Sequence, residues 1–203
     1  MPARGRPRAF DRDAALFCAM RVFWEQGYEG TSMAELTSAM GLNAPSVYAA
    51  FGSKAELFKA AVEAYSEHVG AEIWDALSKA ETARQGFTDF LEQTALAYTR
   101  ADQPHGCMIA LGALHGGADI VPACGMLREK RLENIRLLHE RLSQGIEDGD
   151  VPEGVDCRQI AEFYATVQHG MSIMARDGGS LEQLRRTAAA AMAAWDGLAG
   201  TQS

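Results

Sequence analysis

Apolar residues recur three and four positions apart along most of this chain, the spacing that places them on one face of an α-helix. Helices are predicted at about 11–26, 54–79, 83–101, 123–147, 155–176 and 180–199, and two short helices joined by a tight turn are predicted between residues 31 and 53. A further segment, residues 106–117, is apolar but rich in glycine, which weakens a helix. No stretch shows the strict alternation of a half-buried strand. The sequence therefore predicts an all-α protein of about nine helices.

The ends of the second and third helices are marked by residues suited to capping. Ser32 and Glu35 have the spacing of a capping box, in which each side chain satisfies a backbone N–H at the start of a helix. Gly41 follows the second helix, where a left-handed backbone is often required, and Asn43 is a good cap for the third. Two short helices joined by a tight turn are typical of a helix-turn-helix, whose second helix enters the major groove of DNA.

The stretch from about residue 10 to residue 60 also resembles a known protein family. The residues that carry the likeness are Gly27-Tyr28, Thr31-Ser32, Gly41, Tyr48 with Phe51, and Ser53-Lys54 followed by Leu57-Phe58. Together they resemble the DNA-binding segment of the TetR/AcrR family of bacterial transcriptional regulators. The rest of the chain matches only by length and helical pattern. The resemblance implies an N-terminal three-helix DNA-binding domain followed by a helical ligand-binding and dimerisation domain.

We therefore divide the chain into a flexible basic arm at 1–9, a helix-turn-helix domain at 10–53 and an effector-binding and dimerisation domain at 54–203. Residues 1–60 carry seven Lys or Arg against six Asp or Glu, whereas the remainder carries twelve against twenty-one. The acidic part is expected to stand away from DNA. The predicted helix 54–79 is long enough to link the two domains mechanically.

The arm is one predicted source of DNA contacts. Arg4, Arg6 and Arg8 occur there without any acidic residue, so they are suited to phosphates or to a narrow minor groove. The alternative is a solvated, disordered tail.

The helix-turn-helix supplies the other predicted contacts. Tyr48, Lys54 and either Thr31 or Ser32 are expected to meet the DNA backbone. The small residues of the third helix are expected at the base edges, where shape and methyl contacts act; they are Ala44, Pro45, Ser46 and Ala49. Since none of these is a bidentate reader of bases, specificity is expected to depend on the arm and on DNA shape.

The last two helices are predicted to pair with a second copy of the chain. Their apolar stripes and small residues suit close helix packing, although part of each stripe must cover the domain's own core. The resemblance implies a homodimer built from these helices as a four-helix bundle. The predicted interface residues are Phe163, Val167, Leu184, Ala188, Ala191, Met192 and Trp195.

The middle helices are expected, again from the resemblance, to enclose a pocket for a small-molecule effector. The candidates by residue type are Tyr98, Cys107, Met108, Leu111, His115, Phe163, Gln168 and Met171. Each of them is also an ordinary core residue by its spacing. The sequence does not name the effector.

Cys107 carries an alternative hypothesis. A cysteine at the start of a helix can be reactive, which suggests a thiol switch that releases DNA on oxidation or alkylation, whereas an inert buried cysteine is the plainer interpretation. A further alternative for the whole chain is a helical protein-interaction module with a helix-turn-helix-like domain.

Other chemistry has little support in the sequence. We expect no metal site, cofactor or catalytic residue, because no standard ligand spacing, phosphate loop or nucleophile motif is present. The four cysteines form no disulfide-like framework, and no signal peptide or membrane span is found, so a reducing cytoplasm is the expected setting.

Overall fold

The computed structural model describes residues 10–114 and 121–200 of the chain, and within them it contains helices and turns but no strand. The predicted all-α fold is confirmed. The α-helices of the described residues are α1 Arg12–Gly30, α2 Met33–Met40, α3 Ala44–Phe51, α4 Lys54–Tyr65, α5 Ala71–Lys79, α6 Ala83–Tyr98, α7 Met108–Leu111, α8 Val121–Asp148, α9 Cys157–Arg176, α10 Leu181–Ala193 and α11 Trp195–Ala199. None of them is both long and apolar enough to cross a membrane.

Helices α1 to α3 form a compact N-terminal unit that packs on α4. The Asp11 carboxylate caps α1 by accepting hydrogen bonds from the backbone of Asp13 and Ala14. Near the other end, Gly27 has φ 75° and ψ 173°, a conformation almost restricted to glycine, so regular helix stops at Gln26 as predicted. Gly41 ends α2 in the left-handed region, with φ 63° and ψ 28°.

The predicted helix 54–79 is one continuous helical run with a local change of winding. Residues Ser66–Gly70 form a π-helical segment between α4 and α5. Such π-helical turns are rare in proteins, and those that do occur are frequently found at functional sites. The half before this segment packs on α1, and the half after it packs on α6, so the run connects the two parts of the protein.

The C-terminal part is a bundle in which α6, α8, α9 and α10 pack on one another. An aromatic cluster fills its centre: Phe87 lies 4.8 Å from Tyr164 and 5.2 Å from Trp195 between ring centroids. Of the segment predicted at 106–117, residues 106–114 are described and contain the single helical turn α7, which Gly112 follows directly. Because α7 packs on α1, α8 and α9, it lies where the N-terminal unit meets the bundle.

Candidate nucleic-acid interface and effector cavity

The second helix of the helix-turn-helix presents a small, largely uncharged face to solvent. The Asn43 side chain caps α3 by accepting a hydrogen bond of 2.9 Å from the Ser46 backbone N–H. Val47 and Phe51 are buried, at 1% and 7% exposure, and they anchor α3 to the unit. This leaves Tyr48 exposed, with 49% of its surface accessible to solvent. Of the predicted base-edge residues, Pro45 and Ala49 are exposed, and Ala44 and Ser46 are half-buried.

The start of α2 contains the predicted capping box. The Ser32 backbone N–H donates to the Glu35 carboxylate at 2.8 Å, and the Glu35 N–H donates to Ser32 Oγ at 3.2 Å. The Ser32 side chain and backbone lower the pKa of Glu35 through these hydrogen bonds. Ser32 is exposed, whereas Thr31 is 2% exposed and its hydroxyl donates to Gly27 O at 2.6 Å. Of the predicted pair, Ser32 therefore has the more accessible side chain.

Lys54 lies at the start of α4, directly after the helix-turn-helix. Its Nζ is 4.4 Å from the centroid of the Tyr28 ring, a cation–π arrangement that holds the ammonium on this face. Partial burial lowers the pKa of Lys54, and the carboxylates of Glu35 and Glu29 oppose that shift. Arg4, Arg6 and Arg8 of the arm lie outside the described residues.

A cavity of about 210 Å³ lies in the C-terminal part, between the long helical run and helices α6 to α9. Three of the predicted effector residues line it: Tyr98, Cys107 and Gln168. Burial raises the pKa of Tyr98 well above its ordinary value, and the neighbouring Cys107 thiol raises it further. The Tyr98 phenol is therefore a neutral hydrogen-bonding group at physiological pH. The Gln168 amide is held by Thr94, to whose hydroxyl Nε2 donates at 3.3 Å.

The long helical run contributes a wall of this cavity that the sequence did not reveal. Tyr65, Ser66 and Gly70 line it, so the π-helical segment is in contact with the cavity. The other lining residues are Ile73, Trp74, Ile109, Lys130, Glu133, Asn134 and Leu137. The apolar spacing of 54–79 could have indicated Tyr65 and Ile73, because both belong to its inward stripe. The residues from α8 face the cavity through tertiary packing, which no local pattern encodes.

Four other predicted effector residues, all within the described part of the chain, do not line this cavity. Met108 and Met171 are fully buried in the core, and Phe163 is 36% exposed. Leu111 lines a separate apolar groove beside Ile173. His115 lies outside the described residues.

The predicted dimer residues lie on α9, α10 and α11, and the structure divides them into two groups. Buried inside the protomer are Leu184, Ala188, Ala191 and Trp195. Phe163 is exposed, and Val167 and Met192 are half-buried. The outward surface of α10 is instead formed by its charged residues and by Ala189, Ala190 and Ala193. The predicted set thus mixes core and surface, because the helical spacing did not show which stripe the protomer uses for itself.

The cavity adjoins a junction between α1, the segment before α7, and α9. The Trp24 indole Nε1 donates to Gly106 O at 3.0 Å. The Cys107 backbone N–H donates to Ser172 Oγ of α9 at 2.8 Å. Arg176, one turn further along α9, donates to the carbonyl oxygens of Trp24, Glu25 and His105 at 2.8, 2.7 and 2.9 Å. Sequence reasoning missed this junction, since its partners are far apart along the chain.

Comparisons with known proteins agree with this geometry. Residues 18–61 match the model of a family described as bacterial regulatory proteins, tetR family. The chain is similar to the HTH-type transcriptional repressor ComR of Escherichia coli K12, with 35% identity over 194 residues, 95% of this chain and 92% of ComR. The chain belongs to the TetR family. It is therefore a DNA-binding transcriptional regulator.

Further TetR-family proteins are similar over nearly the full length of the chain. The repressor BdcR of Escherichia coli K12 is 33% identical over 92% of this chain and 90% of its own. A cysteine mutant of the TetR family regulator CifR, solved with 26bp double-strand operator DNA, is 44% identical with a TM-score of 0.91. It covers 94% of this chain and 100% of the CifR chain. The resemblance found in residues 10–60 thus extends through the whole regulator.

Proposed function

We propose that this TetR-family regulator is a repressor that binds a palindromic operator as a homodimer and releases it when a small effector enters the cavity. The observation that carries the proposal is the exposed face of α3, anchored by two buried residues and carrying Tyr48 at 49% exposure. ComR and BdcR are named as repressors, and CifR was solved with operator DNA. We infer a cytoplasmic protein without catalytic activity.

The DNA contacts of this proposal follow from the helix-turn-helix. The exposed Pro45 and Ala49 of α3 would meet the base edges, with Ala44 and Ser46 at the margins of the contact. Tyr48, Lys54 and the exposed Ser32 would meet phosphates, since hydroxyl and ammonium groups both bind them. Arg4, Arg6 and Arg8 would add phosphate or minor-groove contacts.

The homodimer would form through the outward faces of α9 and α10. Phe163, Val167, Gly170 and Met174 follow one another at spacings of four, three and four, so they share a stripe of α9 that is exposed or half-buried. The small residues of α10 beside it would allow the helices of two copies to approach closely. Two recognition helices would then bind about one turn of DNA apart.

The effector would act through the walls of the cavity. A cavity of about 210 Å³ is smaller than the sites of drug-sized ligands, so we infer a small effector. It would contact the π-helical segment at Ser66 and Gly70, in the middle of the run that links the two parts. A ligand that fits only one arrangement of that run shifts the population toward it and so alters DNA affinity.

Fluorescence anisotropy on DNA from upstream of the protein's own gene, across a salt series, tests this function. We expect saturable binding at two protomers per site that weakens with salt and is lost in Tyr48→Ala. The Phe17→Ala variant is a matched control, because Phe17 is another exposed aromatic residue, at 44%, but it lies on α1. If the upstream DNA shows no saturable binding and a selection from random duplexes also yields no preferred sequence, the proposal is wrong.

A second candidate function is the sensing of electrophiles by Cys107. Its thiol lies in the cavity and interacts with the phenols of both Tyr65 and Tyr98, while its backbone N–H binds α9. CifR was itself solved as cysteine mutants. With N-ethylmaleimide, the Cys107 sulfur would bond to one alkene carbon and the thiol proton would end on the other. The adduct would fill the cavity as an effector does.

Mass spectrometry and anisotropy together test the thiol function. We expect N-ethylmaleimide to release DNA from the wild-type protein and from Cys18→Ser, but not from Cys107→Ser. Cys18→Ser is the control because Cys18 is a half-buried cysteine on α1. Oxidant- or maleimide-sensitive DNA binding that persists in Cys107→Ser would contradict it.

A further inference from the structure

Arg176 joins the C-terminal bundle to the DNA-binding unit with a single side chain. Its guanidinium binds two carbonyl oxygens of α1, those of Trp24 at 2.8 Å and Glu25 at 2.7 Å. These residues are separated from Arg176 by about 150 positions in the chain. Since the guanidinium is a rigid planar fork, several simultaneous hydrogen bonds fix the direction of its partners as well as their distance.

The same guanidinium also fixes the segment that leads into α7. Its Nε donates to His105 O at 2.9 Å, and Ser172, one turn earlier on α9, accepts from the Cys107 N–H. Gly106, between His105 and Cys107, passes so close to α9 that a Cβ there would lie 2.6 Å from Ser172 O. This segment is therefore held against α9 by its backbone, with no room to slide.

Trp24 closes the junction from the side of α1. Its indole Nε1 donates to Gly106 O at 3.0 Å, and its ring meets Tyr65 edge-on at 4.8 Å between centroids. The side chain is 2% exposed. The end of α1 is thus bonded both to the segment and, through Arg176, to α9.

The opposite side of α9 is the surface that the proposed dimer uses. Val167 and Gly170 lie there, whereas Gln168 and Ser172 face the core of the same helix. We propose that Arg176 is a positioning residue for DNA recognition, which sets the separation of the two recognition helices and so selects the operator's half-site spacing. This inference rests on the proposed function, because it requires a two-fold dimer on a palindrome.

The physical reason is geometric. Adjacent base pairs are about 3.4 Å apart, so one extra base pair between half-sites moves and rotates the second binding surface. A dimer tolerates that change only if its DNA-binding units can turn relative to α9. Of the guanidinium's three charge-assisted hydrogen bonds, the two to α1 oppose such a turn directly, and removing them permits it.

The test measures binding to a set of duplexes based on the selected operator. Its half-sites are moved together or apart by one and two base pairs, and one duplex carries a single half-site. We expect the wild-type dimer to prefer one spacing by at least about tenfold, a loss within the range that a single mismatched base pair causes. For Arg176→Met we expect this preference to fall to about threefold or less, with affinity for the single half-site unchanged.

A matched control lies on the same helix. Arg158 is ion-paired with Glu162 at 2.9 Å and is largely exposed, so Arg158→Met removes the same charge without touching the junction. It should keep the wild-type spacing profile. Arg176→Lys, which retains the charge but not the fork, should recover only part of the preference.

Two results overturn the inference. One is a folded Arg176→Met dimer with the wild-type profile, and the other is an equal loss at every spacing and at the single half-site, which a merely structural role produces. If Arg176→Met does not fold, Arg176→Lys takes its place, because it keeps the charge but not the fork, and a full wild-type profile in that variant is equally decisive against the inference. Failure of the proposed function is distinct, because the wild-type protein itself would then lack any preference for a palindrome.

Discussion

The backbone N–H of Tyr28 donates a 2.8 Å hydrogen bond to the carbonyl oxygen of Gly112, joining the end of α1 to the end of α7. Gly27, just before it, makes the approach possible, because its φ of 75° turns the chain toward that carbonyl. A Cβ at Gly27 would lie 3.0 Å from Gly112 O. The glycine therefore serves both the end of the helix and the contact between the two parts of the protein.

Gly27→Ala should destabilise the protein strongly. Its backbone conformation costs a residue with a Cβ about 1–3 kcal/mol, and the contact with Gly112 O adds to that cost. Urea denaturation should therefore show a lower free energy of unfolding by at least about 2 kcal/mol.

Gly30→Ala is the control for this substitution. A Cβ there meets only Gln26 Cβ, at an ordinary contact distance of 3.6 Å. Its effect should stay within about 0.5 kcal/mol, as for most surface substitutions. Equal effects of the two alanines would contradict the role given to Gly27.

The local features of the helix-turn-helix could be predicted from sequence because they depend on neighbours. The capping by Ser32 and Asn43 and the left-handed Gly41 need only residues within about one helical turn. The hydrogen bonds of Trp24 and Arg176 depend instead on backbone carbonyls far away in the chain. A backbone carbonyl does not depend on the type of side chain, so no residue pattern indicates which carbonyls these donors bind.

The cavity and the dimer surface were only partly predictable for a related reason. Helical spacing shows that Leu184 and Phe163 are apolar positions on their helices, but not which neighbour covers them. The structure places Leu184 fully in the protomer core and leaves Phe163 36% exposed. A pattern of period 3.6 gives a face, and only tertiary packing decides what that face meets.

Lys54→Gln should weaken operator binding and reduce its salt dependence. If the Lys54 ammonium contacts one phosphate, the slope of log affinity against log salt should fall by about 0.9. Anisotropy titrations between low and moderate salt measure this slope directly.

Lys59→Gln is the matched change, since Lys59 is an exposed lysine of the same helix α4. Its salt slope should equal that of the wild-type protein. A common reduction in both variants would mean that general charge, rather than a contact by Lys54, determines the effect.

The two capping boxes make stability depend on pH in the acid range. Hydrogen bonds from Ser32 and Ser53 lower the pKa of Glu35 and Glu56 below the ordinary value of 4.5. A carboxyl with a lowered folded-state pKa contributes stability above its unfolded pKa, and that contribution is lost as pH falls through the folded pKa. The wild-type protein should therefore lose stability as pH falls below 4.5.

Thermal denaturation from neutral pH downward measures this loss. Replacing both Glu35 and Glu56 by Gln keeps an uncharged acceptor for the caps, so the decline in Tm should be shallower. The control replaces Glu63 and Glu147 by Gln, since both are exposed residues whose side chains cap no helix. Its Tm should decline with falling pH as that of the wild-type protein does. Identical acid profiles for all three proteins would contradict the assignment.

Gly170→Arg should separate folding of the protomer from dimerisation. Gly170 is exposed on α9, and a Cβ there meets no heavy atom within 4 Å, so the protomer can accommodate a side chain. Removing a glycine from a helix interior also favours the helix, by up to about 1 kcal/mol. In the proposed dimer the same position lies between closely packed helices, where an arginine would be buried without a partner. Sedimentation should therefore show monomers with undiminished helix content, and operator binding should fall with the dimer. Gly125→Arg is the control, because Gly125 lies on α8 where a Cβ is equally free of contacts, and this variant should remain dimeric. A dimeric Gly170→Arg protein would exclude this face of α9 from the interface.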